Sequence, residues 1–269
     1  MNMTLYKQMM KVNLKGFLNY GIGSAFYILL IFWLYPAIAD NASAIDEIVQ
    51  SMPEGVGRAF GLNGFGTAEA FISGEYYGLI LVLILSIVCV QLSTQLMAKL
   101  VDQGSMAYLL SAPTTRRKVA FTQASVLISG LLLIMTITTI AGFAGKAWFL
   151  GGEFAFHPSR FLLMNVAAFL LFFAVGGITF LVSSLSNDEK KAMSISGMIT
   201  FGFFSLDLLG KLSEKIGWMR HVSLFSLYRP GEIINGDADM VATSLLLALI
   251  GGVSFALAVI LFRRRDLPL

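Results

Sequence analysis

Residues 161–185 read FLLMNVAAFLLFFAVGGITFLVSSL, and no charged side chain interrupts them. A helix of about 20 apolar residues crosses the hydrocarbon core of a bilayer. A helix at the surface of a soluble domain instead carries a polar stripe opposite its apolar face. Five further stretches read the same way: Phe17–Ala39, Tyr76–Ala98, Val119–Ala144, Ala192–Leu209 and Val241–Phe262. The six stretches together hold one charge, Asp207. Only helices and closed barrels satisfy their own backbone polar groups in lipid. A barrel strand alternates apolar and polar residues, and runs such as Leu79–Leu85 do not. The expected fold is therefore all-α and integral to a membrane, with six transmembrane helices forming one domain over residues 1–269.

Composition excludes the main alternatives. The chain of 269 residues is 57% hydrophobic and only 13% charged, with a mean hydropathy of +0.77. Soluble domains carry about 25% charged residues, so a soluble enzyme, a disordered chain or a nucleic-acid-binding domain fits poorly. Twenty-two Phe and 26 Gly agree, since Gly is commoner in membrane helices than in soluble ones. The single Cys89 rules out an internal disulfide and reads as a small apolar residue. Two histidines are too few for a His/Cys metal cluster. The first span is too long for a cleaved signal peptide, and no small-residue cleavage site follows Trp33-Leu34-Tyr35-Pro36.

Lys and Arg residues flanking the spans set the orientation, because they are retained on the cytoplasmic side. One side carries Lys7, Lys11, Lys15, Lys99, Arg116, Arg117, Lys118, Lys190, Lys191, Arg263, Arg264 and Arg265 against four acids. The other carries seven basic residues against twelve acids, a balance of +8 against −5. Both termini are thus expected in the cytoplasm, with the loops near 40–75, 145–160 and 210–240 outside.

The segments between spans carry further information. At 100° per residue, Met3, Tyr6, Met10, Leu14 and Phe17 fall within about 80° of one another, with Lys7, Lys11 and Lys15 along one edge. That pattern suits an N-terminal helix lying in the inner interface of the bilayer. The inner loop 99–118 reads KLVDQGSMAYLLSAPTTRRK. Gly104 breaks the preceding helix, Ser105 caps a short helix, Pro113 ends it and Thr114 caps the third span. Met106, Tyr108, Leu109 and Leu110 are expected on its surface, where they need lipid or a protein partner. The outer loop 40–75, with six acids and six glycines, reads as a solvated cap. The outer segment 210–240 is apolar enough for two short helices dipping into the outer leaflet, divided at Pro230-Gly231, with Trp218 and Tyr228 at headgroup level. His157 and His221 lie in outer loops without partner clusters and read as structural or solvated. Asp207 is either an i, i+4 partner of Lys211 or part of a substrate pathway. Gly176-Gly177 and Gly251-Gly252 serve either close helix contact or flexibility against lipid.

Several chemistries find no residues. No G-x-x-x-x-G-K-[ST] loop exists; the nearest string, Gly142-Phe143-Ala144-Gly145-Lys146, has the wrong spacing. No HExxH motif and no intramembrane Ser/His set supports a protease. An ion-coupled carrier uses chains of buried Asp, Glu or His, and here one Asp stands at a span's margin.

Three strings in this order resemble the ABC-2 type exporter permeases. Asp102-x-Gly104-Ser105…Leu109-Leu110-Ser111-x-Pro113-Thr114-Thr115-Arg116 is similar to the family's inner-loop motif, with Ser105 for the commoner Thr and Asp102 for the commoner Glu. Leu261-Phe262-Arg263-Arg264-Arg265-Asp266-Leu267-Pro268 is similar to its ending. Leu224-Phe225-Ser226-Leu227-Tyr228-x-Pro230-Gly231 is like the outer hairpin of bacterial members. The resemblance implies a permease of the bacterial plasma membrane that pairs with a second copy or a paralogue. It also implies two cytoplasmic ATP-binding subunits, which hold the ATP and Mg; this chain binds no cofactor of its own. Residues 105–112 would be the coupling element, flanked by the N-terminal helix. The expected cargo is an amphipathic, antimicrobial or toxin-like peptide, or a hydrophobic drug. An autonomous channel or ion-coupled carrier is the alternative.

Cysteines placed at Lys7 and Arg264 should react with an impermeant maleimide only once the cytoplasmic side is opened; labelling of intact cells would reverse the orientation.

Overall fold

The computed structural model describes residues 1–41, 47, 51, 54–59, 67–111, 114–151, 154–236 and 240–266. Helices make up its regular structure, with no strand among the described residues. Six are long and apolar enough to cross a membrane: span 1 (Met3–Ala39), span 2 (Ala68–Asp102), span 3 (Arg116–Leu150), span 4 (Pro158–Leu185), span 5 (Glu189–Leu212) and span 6 (Met240–Arg264). The bounds extend beyond the charge-free stretches because polar residues continue each helix past the hydrocarbon. Both described chain ends lie at one end of the bundle, here the basic end, where Arg116 donates to the Arg265 carbonyl.

The amphipathic N-terminal segment is helical, but it continues into span 1 without a break, over 37 residues. At 1.5 Å per residue this helix is about 55 Å long, well beyond a hydrocarbon core of about 30 Å. Asn2 caps it by accepting from the Leu5 N–H. Its first turns are fastened to span 3: the Asn2 N–H donates to Thr122 and Tyr6 bonds Ser129 at 2.8 Å. Lys7, Lys11 and Lys15 are exposed.

Apolar burial alone does not join helices in lipid, so the contacts between spans are small or polar. Spans 1, 2 and 3 meet at Ser24, which bonds both Tyr76 and Thr138. Spans 2, 3 and 4 meet at Asn165, whose Oδ1 accepts from Tyr77 at 2.8 Å and from Thr139 at 2.9 Å. Nearer the basic end Ser93 and Thr179 share a bond of 2.8 Å, and Ser183 donates to the Ser93 carbonyl. Spans 4 and 6 touch at glycines: a Cβ on Gly177 would stand 2.8 Å from the Gly251 carbonyl oxygen. Phe173 and Phe180 pack on Phe255 beside this crossing. Gly177 and Gly251 thus serve close contact, whereas Gly252 faces open space. Span 5 is the least covered, with 22% of its apolar window buried against 61% for spans 2 and 4.

Span 2 begins irregularly. Ser73–Ile80 is π-helical, with bonds closing wider turns than an α-helix. Tyr76 and Tyr77, adjacent in sequence, are both fully buried there and meet edge to face.

Replacing Gly177 by Val should force spans 4 and 6 apart and destabilise the protein by about 1–3 kcal/mol, read as a lowered melting temperature in detergent. Gly252→Ala, which meets nothing, should leave that temperature unchanged.

Candidate functional site

At the basic end, span 2 breaks at Met97 and resumes as Ala98–Asp102. Gly104 then takes φ +71°, a conformation that suits a residue without Cβ, and the chain turns into the short helix Ser105–Ser111. The helix starts at Ser105 itself; Pro113 and residue 112 lie outside the described residues. The expected exposure of its apolar residues needs correction. Met106 is fully buried and Leu109 and Leu110 are half-buried, because they share the face packed on the bundle. Tyr108 points away and is 82% exposed. The cap of span 3 is Thr115, accepting from the Lys118 N–H, and not Thr114.

The motif residues around this helix fasten it to the other spans. Asp102 accepts from the Glu189 N–H at the start of span 5, where negative charge complements the helix dipole. Lys99 pairs with Glu189 at 3.3 Å. The Arg116 guanidinium donates to the Arg265 carbonyl. The Arg265 guanidinium in turn donates to the carbonyls of Ser184 and Ser186 at the end of span 4, and to Asn187. Burial lowers the Arg265 pKa, yet a guanidinium remains charged. The segments on either side of the short helix are therefore braced against span 5 and, through Arg265, against the end of span 4 and the tail of span 6.

At the opposite end lies a cavity of about 650 Å³. Its walls are the π-helical start of span 2 (Ser73, Gly74, Gly78), the last turns of span 5 and the segment 214–235. That segment forms four short helical pieces rather than two: Glu214–Ile216, Met219–Val222, Leu224–Leu227 and Pro230–Asn235. Pro230 starts the last one, where its missing N–H costs nothing, and Gly236 ends it at φ +86°. Trp218 is exposed as a headgroup-level aromatic should be. Tyr228 is instead buried, because it faces the tyrosines of span 2.

Asp207 lies in this cavity, 4% exposed. Lys211 Nζ is 2.7 Å from Oδ2, the i, i+4 pair expected from the sequence. Arg220 Nε donates to Oδ1 at 3.3 Å. The sequence signal for Arg220 is weak, since its side chain arrives from a folded-back segment with no fixed spacing to span 5. Ser223 fixes the same segment by donating to the Phe203 carbonyl, and Arg160 of span 4 holds its end through the Ile234 carbonyl.

The loop 40–75 is not wholly a solvated cap. Glu69 is buried and accepts from the His157 N–H at the start of span 4, with His157 Nδ1 3.0 Å from its second oxygen. His157 is thus partnered, while His221 is exposed. No metal-binding cluster of His, Cys, Asp or Glu occurs among the described residues.

Six helices long and apolar enough to cross a bilayer define a multi-pass membrane protein. The chain belongs to the family described as ABC-2 family transporter protein, whose model matches residues 7–267. It is the membrane permease component of an ABC transporter. No curated protein matches the chain.

Asp207→Asn should free the segment around Arg220, costing about 1–3 kcal/mol, the range for hydrogen bonds to charged groups. Faster hydrogen exchange over residues 218–223 would report it; exchange unchanged from the parent protein would show that the triad holds nothing.

Proposed function

We propose that this permease is the membrane half of a bacterial ATP-driven exporter in the plasma membrane. In this reading the basic end faces the cytoplasm, and two ATP-binding subunits, carrying the ATP and Mg, dock there. Ser105–Ser111 is the coupling helix. The exposure of Tyr108 on a helix otherwise rooted by Met106 carries the reading: a projecting aromatic on a rigid base fits a groove in a partner. Bracing by Asp102 and Arg116 supports transmission, since a push on the short helix reaches several spans as a rigid body.

A second permease copy or a paralogue completes the path. Span 5 supports this assignment. It leaves Ser194, Met198, Phe201, Gly202 and Ser205 exposed, and small or hydroxyl residues suit a neighbouring helix better than lipid tails. The cargo is an amphipathic, antimicrobial or toxin-like peptide, or a hydrophobic drug, moved outward.

Tyr108→Asp should abolish co-purification with the ATP-binding subunit and uncouple ATP hydrolysis from transport, while Tyr108→Phe keeps both. Unchanged coupling in Tyr108→Asp would remove the short helix from the docking site. The permease alone, reconstituted in vesicles, should move no cargo; transport without the ATP-binding subunit would favour the autonomous carrier.

A further inference from the structure

The cavity beneath the segment 214–235 has an uneven hydrogen-bonding inventory. Both oxygens of Asp207 are engaged, by Lys211 and Arg220. An ammonium has three N–H donors and a guanidinium five, and Asp207 takes one from each. Lys211 and Arg220 therefore keep spare donors facing a partly open space, with side-chain exposures of 28% and 34%. Asp207, Lys211 and Arg220 together carry a charge of +1, and the other charged groups of the lining, Arg229, Glu214 and Glu232, sum to −1. Tyr228 lines the same cavity, and its buried hydroxyl has no hydrogen-bond partner among the described residues. Burial holds that phenol well above its ordinary 10.0, so it stays an O–H donor at physiological pH.

The two other carboxylates of the lining already have partners. Glu232 takes both oxygens to Arg229, and Glu214 has its own contact. The rest of the wall is mixed: Val82, Phe204 and Phe225 form an apolar strip, and Ser73, His221, Ser226 and Asn235 add neutral polar groups. About 650 Å³ falls within the usual range of sites for drug-sized ligands.

We propose that this cavity binds an amphiphile with a single anionic head, a carboxylate or phosphate, seated on Lys211 and Arg220 with its apolar tail along Val82, Phe204 and Phe225. The head takes donors that Asp207 does not use, and a charge-assisted bond from two cations is the strong kind. Tyr228 supplies a third donor. A cationic head in the same place meets like charge from Lys211 and Arg220. The site lies within one copy of the chain, and its occupancy is independent of how transport is powered, so its test needs no ATP-binding subunit.

The full-length protein in nanodiscs of zwitterionic lipid is titrated with dodecyl phosphate, with dodecyltrimethylammonium as the opposite charge. Saturable binding of dodecyl phosphate alone is expected. Lys211→Gln and Arg220→Gln should each weaken it roughly tenfold, the effect of one charge-assisted bond. Tyr228→Phe, which leaves the Asp207 triad intact, should weaken it about threefold, with an unchanged melting temperature. Two arms identify the source of the anion. Inorganic phosphate that competes with dodecyl phosphate points to a free anion; anionic lipid in the nanodisc that competes points to a headgroup from the bilayer. Equal binding of the cationic amphiphile, or affinities unchanged in Tyr228→Phe and both charge variants, overturns the proposal.

Discussion

In hydrocarbon, an apolar side chain gains nothing by leaving lipid for another helix. The six spans are therefore held together by what lipid cannot offer: polar partners and close backbone approach. Ser24 joins spans 1, 2 and 3, Asn165 joins spans 2, 3 and 4, and Ser183 ties span 4 to the basic end of span 2. Individual bonds of this type are worth about 0.6 kcal/mol on average. Their strength as a set comes from their placement: the Ser24 and Asn165 bonds lie side by side away from the basic end, through the adjacent pairs Tyr76–Tyr77 and Thr138–Thr139, and the Ser93, Thr179 and Ser183 bonds lie nearer that end. The Gly177–Gly251 contact extends the assembly to span 6 without a hydrogen bond between side chains.

Span 5 is attached differently. Its ion pairs and its bonds to charged side chains reach it at its two ends, through Asp102 and Lys99 at one and Arg220 at the other. Much of its length is left uncovered. The charged groups sit where headgroups and water lower the cost of keeping them ionised, and the middle of the span holds none. The same logic explains why Asp207, the single charge in the six apolar stretches of the sequence, has two cationic partners: a buried, unpaired charge is far costlier than a paired one.

The short helix at the basic end shows how a seven-residue element acquires rigidity. Isolated helices of that length are unstable in water. Here Met106 roots it in the bundle, Gly104 sets its direction and the flanking motif residues tie it to three other elements. The pairing of a carboxylate at one side, Asp102, with a guanidinium at the other, Arg116, is structural before it is anything else. Both residues act on backbone groups at helix ends, where unsatisfied N–H and C=O groups remain.

The sequence by itself determined the six spans, the basic end and the short helix between spans 2 and 3. Those depend on apolar length and on charge counting, which are local. It also determined the Asp207–Lys211 pair, because an i, i+4 spacing on a helix fixes proximity. Only the tertiary structure decided that Met106 turns inward while Tyr108 turns out, that Tyr228 is buried, and that Arg220 and Glu69 find their partners. In a chain apolar on every face, hydropathy tells which segments leave water and not which face meets which neighbour. That choice rests on side chains brought together from distant positions, and the 214–235 segment has no periodicity to announce where it folds back.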